Sequence, residues 1–172
     1  MSLSLVPPAM PAYDDACAAF SWDDARALLA GLPDGGLNIC HEALDRHADG
    51  ALAGATALRC LDREGARRDI SYAELRDQAA RFAGVLAELG VQRGERVFSL
   101  LGRVPELHVA AMGTMRAGAV FCPLFSAFGP DPIRQRMLRG DARVLVTTRA
   151  LYERRVAPVR DTLPGLRHVL LV

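Results

Sequence analysis

The chain has 172 residues, 51% apolar and 24% charged, with a formal net charge of +1, a profile that suits one soluble globular core and excludes a disordered or fibrous protein. The near balance of charge speaks against a nucleic-acid partner, and the 21 cationic side chains are all arginine. Because lysine is absent, no Schiff base, lysine general base or phosphate-loop lysine can come from this chain, and a complete Walker-type or kinase-type phosphotransferase is excluded.

Residues 1–20 carry Pro7, Pro8 and Pro11 with little periodicity, so an extended N-terminal arm is expected there. No basic flank and no unbroken apolar core precede Asp14, and Arg116 interrupts the longest apolar region. Neither a signal peptide nor a membrane span is therefore expected. Ser21 with Asp24 three positions on predicts an N-cap for a helix through Ala30, ended by Gly31 and Pro33. Asn38 is placed to cap a helix over residues 39–47, with Ile39, Ala43, Leu44 and His47 near one face, and Asp49-Gly50 to stop it. Residues 55–62 and 67–71 read as two strands of a hairpin turned at Arg63-Glu64-Gly65-Ala66. Ser71-Tyr72-Ala73-Glu74 is a capping box, and Leu75, Ala79, Phe82, Leu86 and Leu89 follow at helical spacing up to Gly90.

From Glu95 onward strands and helices alternate. Strands are expected over residues 96–101, 119–122, 143–148 and 167–172, and helices over 105–117, 131–139 and 150–163. The class is thus α/β, a mostly parallel sheet built from βαβ units with flanking helices and preceded by the β-hairpin. The run Ala119-Val120-Phe121-Cys122 lacks polar alternation, which predicts a strand covered on both faces, and Pro123 is expected to close it. Residues 124–129 then leave beyond the carboxyl edge, where open α/β sheets bind ligands. The apolar close of the sequence, Val169-Leu170-Leu171-Val172, is expected either to lie within a sheet or to mark a piece of something longer.

Few motifs carry chemistry. Cys17, Cys40, Cys60 and Cys122 form no CxxC pair and are expected to be reduced, mostly buried thiols in a cytoplasmic protein. His41-Glu42 begins like HExxH, but the next histidine is His47, so the zinc geometry fails, and His108 and His168 stand alone. No GxSxG surrounds Ser99 or Ser126, and the turn Gly102-Arg103-Val104-Pro105 is not a dinucleotide fingerprint. No catalytic residue and no metal ligand is assigned. Arg154 and Arg155, near the carboxyl edge of the 143–148 strand, have the bidentate chemistry that meets a phosphate, set against a merely solvated helix face. The small residues of Phe125-Ser126-Ala127-Phe128-Gly129 would let a ligand approach the backbone, set against an ordinary strand-to-helix connection.

Taken together, these residues resemble the N-terminal part of the adenylate-forming acyl-CoA synthetases, most closely the acetyl-CoA synthetase-like members. Ile70-Ser71-Tyr72-Ala73-Glu74-Leu75 is similar to the first shared motif of that superfamily, and the segment from Met115 to Leu124 to the second. Arg93-Gly94-Glu95-Arg96-Val97, Val104-Pro105-Glu106-Leu107 and NICHEALDRH from Asn38 to His47 match intervening and preceding segments. The resemblance implies that residues 21–172 are an incomplete N-terminal part of the AMP-binding large domain. It implies a parent ligase that joins a small-molecule carboxylate to coenzyme A with ATP and Mg2+, as in fatty acid metabolism, through an acyl adenylate and released pyrophosphate. The ATP loop and catalytic lysine of that family are not in this sequence, so the chain alone is expected to be inactive. By position the resemblance implies that Ser126, Ala127, Phe128, Gly129, Arg154 and Arg155 approach the nucleotide end of coenzyme A. Other readings are a non-catalytic oligomerisation or partner-binding module and a stand-alone coenzyme A binder.

Overall fold

The computed structural model describes residues 12–172, and its contacts divide into a unit ending at Ala30 and a unit from Gly31 to Val172. In the first unit, α1 (Tyr13–Ala19) corrects the extended arm expected over residues 1–20, whose first eleven residues lie outside the described ones. Asp14 and Asp15 in its first turn complement the helix dipole. Ser21 caps α2 (Trp22–Ala27), its hydroxyl accepting from the Asp24 amide at 3.1 Å. The helix stops short of Ala30, its last turn tightened by a bond from the Leu29 amide to the Arg26 carbonyl.

The second unit opens with Asn38, whose Oδ1 accepts from the amides of Cys40 and His41 and so starts a helix over residues 39–48. His41–Asp45 is a π-helical turn, and the short α3 (Arg46–Ala48) completes it. The wider turn displaces the expected apolar face. Cys40, Leu44 and Ala48 are buried at four-residue spacing, while Ile39 is 64% exposed. β1 (Thr56–Leu61) and β2 (Arg67–Ser71) pair antiparallel as expected, with Gly65 at φ +87° in the turn. The Ser71–Glu74 capping box then opens α4 (Tyr72–Glu88), which buries Leu75, Ala79 and Leu86.

Beyond α4 the elements alternate as β3 (Arg96–Leu100), α5 (Pro105–Arg116), β4 (Val120–Leu124), α6 (Pro130–Arg139), β5 (Ala142–Thr147), α7 (Arg149–Leu151) and β6 (His168–Leu171). The four strands form one parallel sheet in the order β4-β3-β5-β6. Successive residues of the central strands feed opposite cores. Val97, Val144 and Val146 pack with Leu86 and Ala110 on one face, and Phe98, Leu100 and Leu145 pack with Ile133, Met137 and Val156 on the other.

Two expectations fail for identifiable reasons. β4 packs Phe121 into one core and Cys122 and Leu124 into the other, but it is an edge strand that leaves Val120 47% exposed, and it continues through Pro123, which lies opposite Ser99. Val120 donates its amide to Glu95 in the preceding turn, so alternate residues face β3 and Pro123 faces outward, where a missing N–H breaks no ladder bond. The single helix expected over residues 150–163 is instead α7, a π-helical turn (Tyr152–Val156) and a 3₁₀ segment (Ala157–Thr162). Pro158 has no amide to continue an α-helix there.

The cysteines are free, but only Cys40 is fully buried, Cys60 and Cys122 are half-buried, and Cys17 is exposed, which corrects the expectation of mostly buried thiols. Burial pushes the Cys40 thiol from 9.0 up to about 11, with the Asp45 carboxylate adding to the shift and Arg116 opposing it. Between those values the native state holds a proton that the unfolded chain has lost, so stability falls as pH rises through the window. Equilibrium unfolding followed across it should show a loss of about 2 kcal/mol that Cys40→Ala removes. Equal pH slopes in the two proteins would refute the assignment.

Candidate functional site

The segments leaving β4 and β5 build the carboxyl edge of the sheet. Thr147, fully buried at the end of β5, donates its hydroxyl to the Leu100 carbonyl at 2.8 Å and so pins the ends of β3 and β5 together. Thr148 then accepts from the Leu151 amide and turns the chain into α7. Since β4 and β5 flank β3, the two segments depart from strands two spacings, or about 9–10 Å, apart. Phe128 from the first segment and Leu151 and Tyr152 from the second pack half-buried against the same core.

Between β4 and α6 the chain makes a tight turn, with the Phe128 amide donating to the Phe125 carbonyl at 3.0 Å. The rings of Phe125 and Phe128 meet edge to face at 5.6 Å and 88°, which leaves Phe125 64% exposed at the tip. Ser126 is half-buried and Ala127 exposed. A Cβ on Gly129 would meet nothing within 4 Å, so the fold does not demand this glycine and its backbone is open to an approaching group.

The start of α6 is a poor seat for an anion in spite of the helix dipole. Pro130 and Pro132 carry no amide hydrogen, the Ile133 amide is bonded to the Gly129 carbonyl, and the Asp131 carboxylate stands in the first turn. A phosphate at this edge would therefore take its countercharge from arginine side chains. Arg154 is exposed and makes no hydrogen bond or ion pair among the described residues. Arg155 is half-buried, and its Nε is shut off from solvent with no partner, a costly state for a charged donor. Residues 126–129 thus leave the carboxyl end of β4, whereas Arg154 and Arg155 lie in the π-helical turn seven and eight residues beyond the end of β5 and differ from each other in environment. What the spacing did not signal is the role of Pro130 and Pro132, although both are plain in the sequence.

Elsewhere the candidate groups have structural work. His47 packs edge-on against Tyr72 at 5.6 Å, and Glu42 accepts from the Gly31 amide and pairs with Arg46. Among the described residues no group of three His, Cys, Asp or Glu side chains could hold a metal ion, and no helix is long and apolar enough to cross a membrane. Ser99 is fully buried in β3 with an unpartnered hydroxyl.

Comparison with known proteins agrees with this architecture. Residues 44–172 match the family described as AMP-binding enzyme. An acetyl-coenzyme A synthetase of Bacillus subtilis is 37% identical over 163 residues, covering 93% of this chain and 27% of that protein. The acetyl-coenzyme A synthetase of Streptomyces avermitilis is 36% identical over 121 residues, covering 70% of this chain and 19% of that one. Among solved structures, the Brucella canis acyl-CoA synthetase superposes with a TM-score of 0.80 at 37% identity, covering 93% of this chain and 28% of that one. A benzoate CoA ligase from Burkholderia xenovorans does so with a TM-score of 0.64 at 25% identity, covering 79% and 26%. The chain spans about a quarter of the length of the first of these relatives.

Proposed function

Because the chain belongs to the AMP-binding enzyme family, we propose that it is the N-terminal framework of an acetyl-CoA synthetase-like ligase and contributes part of that enzyme's coenzyme A site. The parent reaction joins a small carboxylate to coenzyme A, with ATP activating the carboxylate as an adenylate and pyrophosphate leaving. This chain offers no lysine for the charge that develops on the transferring group, and no acidic cluster for Mg2+ among its described residues. ATP and Mg2+ are therefore not assigned to it, and alone it does not catalyse the reaction. A cytoplasmic setting belongs to the same proposal.

Coenzyme A fits the carboxyl edge better. The observation that carries this reading is Arg155, half-buried and without a hydrogen bond or ion pair among the described residues, whose terminal guanidinium nitrogens are left for a phosphate oxygen. Residues 126–129 would admit the nucleotide close to the backbone, and the exposed Arg154 would add charge from solvent. Titration of the chain with coenzyme A, read by amide chemical shifts, should show saturable changes over residues 125–129. Arg155→Ala should weaken binding about tenfold and Arg154→Ala much less, as expected for loss of one charge-assisted bond against loss of a solvated cation. No shift at millimolar coenzyme A would sink the site. Incubated with ATP and acetate, the chain should release no pyrophosphate above background; measurable adenylation would overturn the framework reading.

A second reading, a non-catalytic oligomerisation or partner-binding module, is favoured by β6. Its outer edge carries no proline, and Leu171 is 45% exposed. A concentration-independent monomer in sedimentation, with no partner captured, would count against it.

A further inference from the structure

Residues 125–128 lie between the end of β4 and α6 with one backbone hydrogen bond of their own, Phe128 to Phe125, among the described residues. Neither the Ser126 hydroxyl nor the Phe125 ring has a polar or covalent tether among those residues, so the order of this turn rests on how firmly Phe128 is held. The Phe128 ring packs on the core below it. Over its ring stands the guanidinium of Arg136, two turns along α6, with its carbon 4.3 Å from the ring centroid. Arg136 forms no ion pair among the described residues. The two carboxylates closest in sequence are already taken, Asp131 by Arg134 and Gln135 and Asp141 by Arg96, and the polar contact of Arg136 is an Nη1 bond to the Pro132 carbonyl at 3.2 Å, which keeps the side chain along its own helix.

We propose that Arg136 is a positioning residue: it clamps Phe128 against the core, fixes the 125–129 turn and thereby sets its affinity for coenzyme A without touching the ligand. The proposal rests on the reading that this turn meets coenzyme A. The force is ring quadrupole against cation, reinforced by planar stacking that lysine reproduces only in part and methionine not at all. Arg136 is exposed and lies outside both cores, so removing its charge leaves global packing alone.

The test compares wild type, Arg136→Lys and Arg136→Met in three measurements: hydrogen exchange at the Phe128 amide, affinity for coenzyme A, and the midpoint of denaturant unfolding. Arg136→Met should speed Phe128 exchange about two- to fivefold and weaken coenzyme A by a similar factor, with the unfolding free energy lowered by no more than that same factor, about 0.4–1 kcal/mol. Arg136→Lys should restore most of both. Unchanged Phe128 exchange in Arg136→Met overturns the clamp, as does a loss of global stability well beyond the change in Phe128 opening, which would make the residue merely structural. Weakened binding with unchanged exchange would mean that Arg136 touches the ligand directly, and it too overturns the proposal. If the wild-type chain binds no coenzyme A, the ligand reading falls, and Phe128 exchange alone still decides whether Arg136 orders the turn.

Discussion

Leu145→Ala should lower the unfolding free energy by about 3–5 kcal/mol, among the large effects expected from a side-chain truncation in this core. Leu145 is fully buried in β5, lies opposite Phe98 of β3 and Val169 of β6, and belongs to the core formed with Met137, Val156 and Leu163. Lost burial alone costs about 2–3 kcal/mol. The remainder arises because β5 is hydrogen-bonded on both sides and cannot move inward to fill the cavity. Denaturant unfolding should show the midpoint shifted with an unchanged slope. Leu138→Ala, on the exposed side of α6 at 41% exposure, should change stability by less than about 0.5 kcal/mol. Comparable losses at both positions would mean that the two faces of α6 and the sheet are not divided as described.

Gly113→Ala is expected to cost about 3 kcal/mol, although alanine in a helix interior is ordinarily favoured over glycine by about 1 kcal/mol. The reversal comes from α4. A Cβ at position 113 would stand 2.7 Å from the Ala79 carbonyl oxygen and 2.8 Å from Phe82 Cδ1, and the first of these is backbone that cannot rotate away. Relief requires α5 to lift off α4, which would loosen the helix pair covering one face of the sheet. Gly84→Ala in α4 is the matched control, since its Cβ would meet nothing within 4 Å, and it should stabilise by about 0.5–1 kcal/mol. Thermal or denaturant unfolding of both variants reads the contrast, and the same sign at both glycines would contradict the close approach of α4 and α5.

These two sites support the carboxyl edge in different ways. Leu145 holds the strand whose end is locked to β3 by Thr147, and that strand launches the Arg154–Arg155 segment. Gly113 holds the helix that leads into β4, the strand that launches residues 125–129. Their loss should weaken any ligand bound at the edge in proportion to unfolding. Arg136→Met should weaken ligand binding with only a small loss of stability, on the order of the cation–ring contact itself, so the classes are separable by experiment.

What could be read from residues alone was what acts over a few positions. The Ser71–Glu74 box, the Asn38 and Ser21 caps, the hairpin turn at Gly65 and the alternation after Glu95 all lie where expected, because each depends on amides and side chains three or four residues apart. The motifs from Ile70 to Leu124 were likewise enough to carry the family resemblance. The tertiary structure decided the rest: that β4 lies at the edge and tolerates Pro123, that a π-helical turn moves burial from Ile39 to Cys40, that Gly113 meets Ala79, and that Arg136 reaches Phe128. Each depends on which elements pack together or on the local winding of a helix. Composition and period are the same for an edge strand as for a central one until its neighbours are in place.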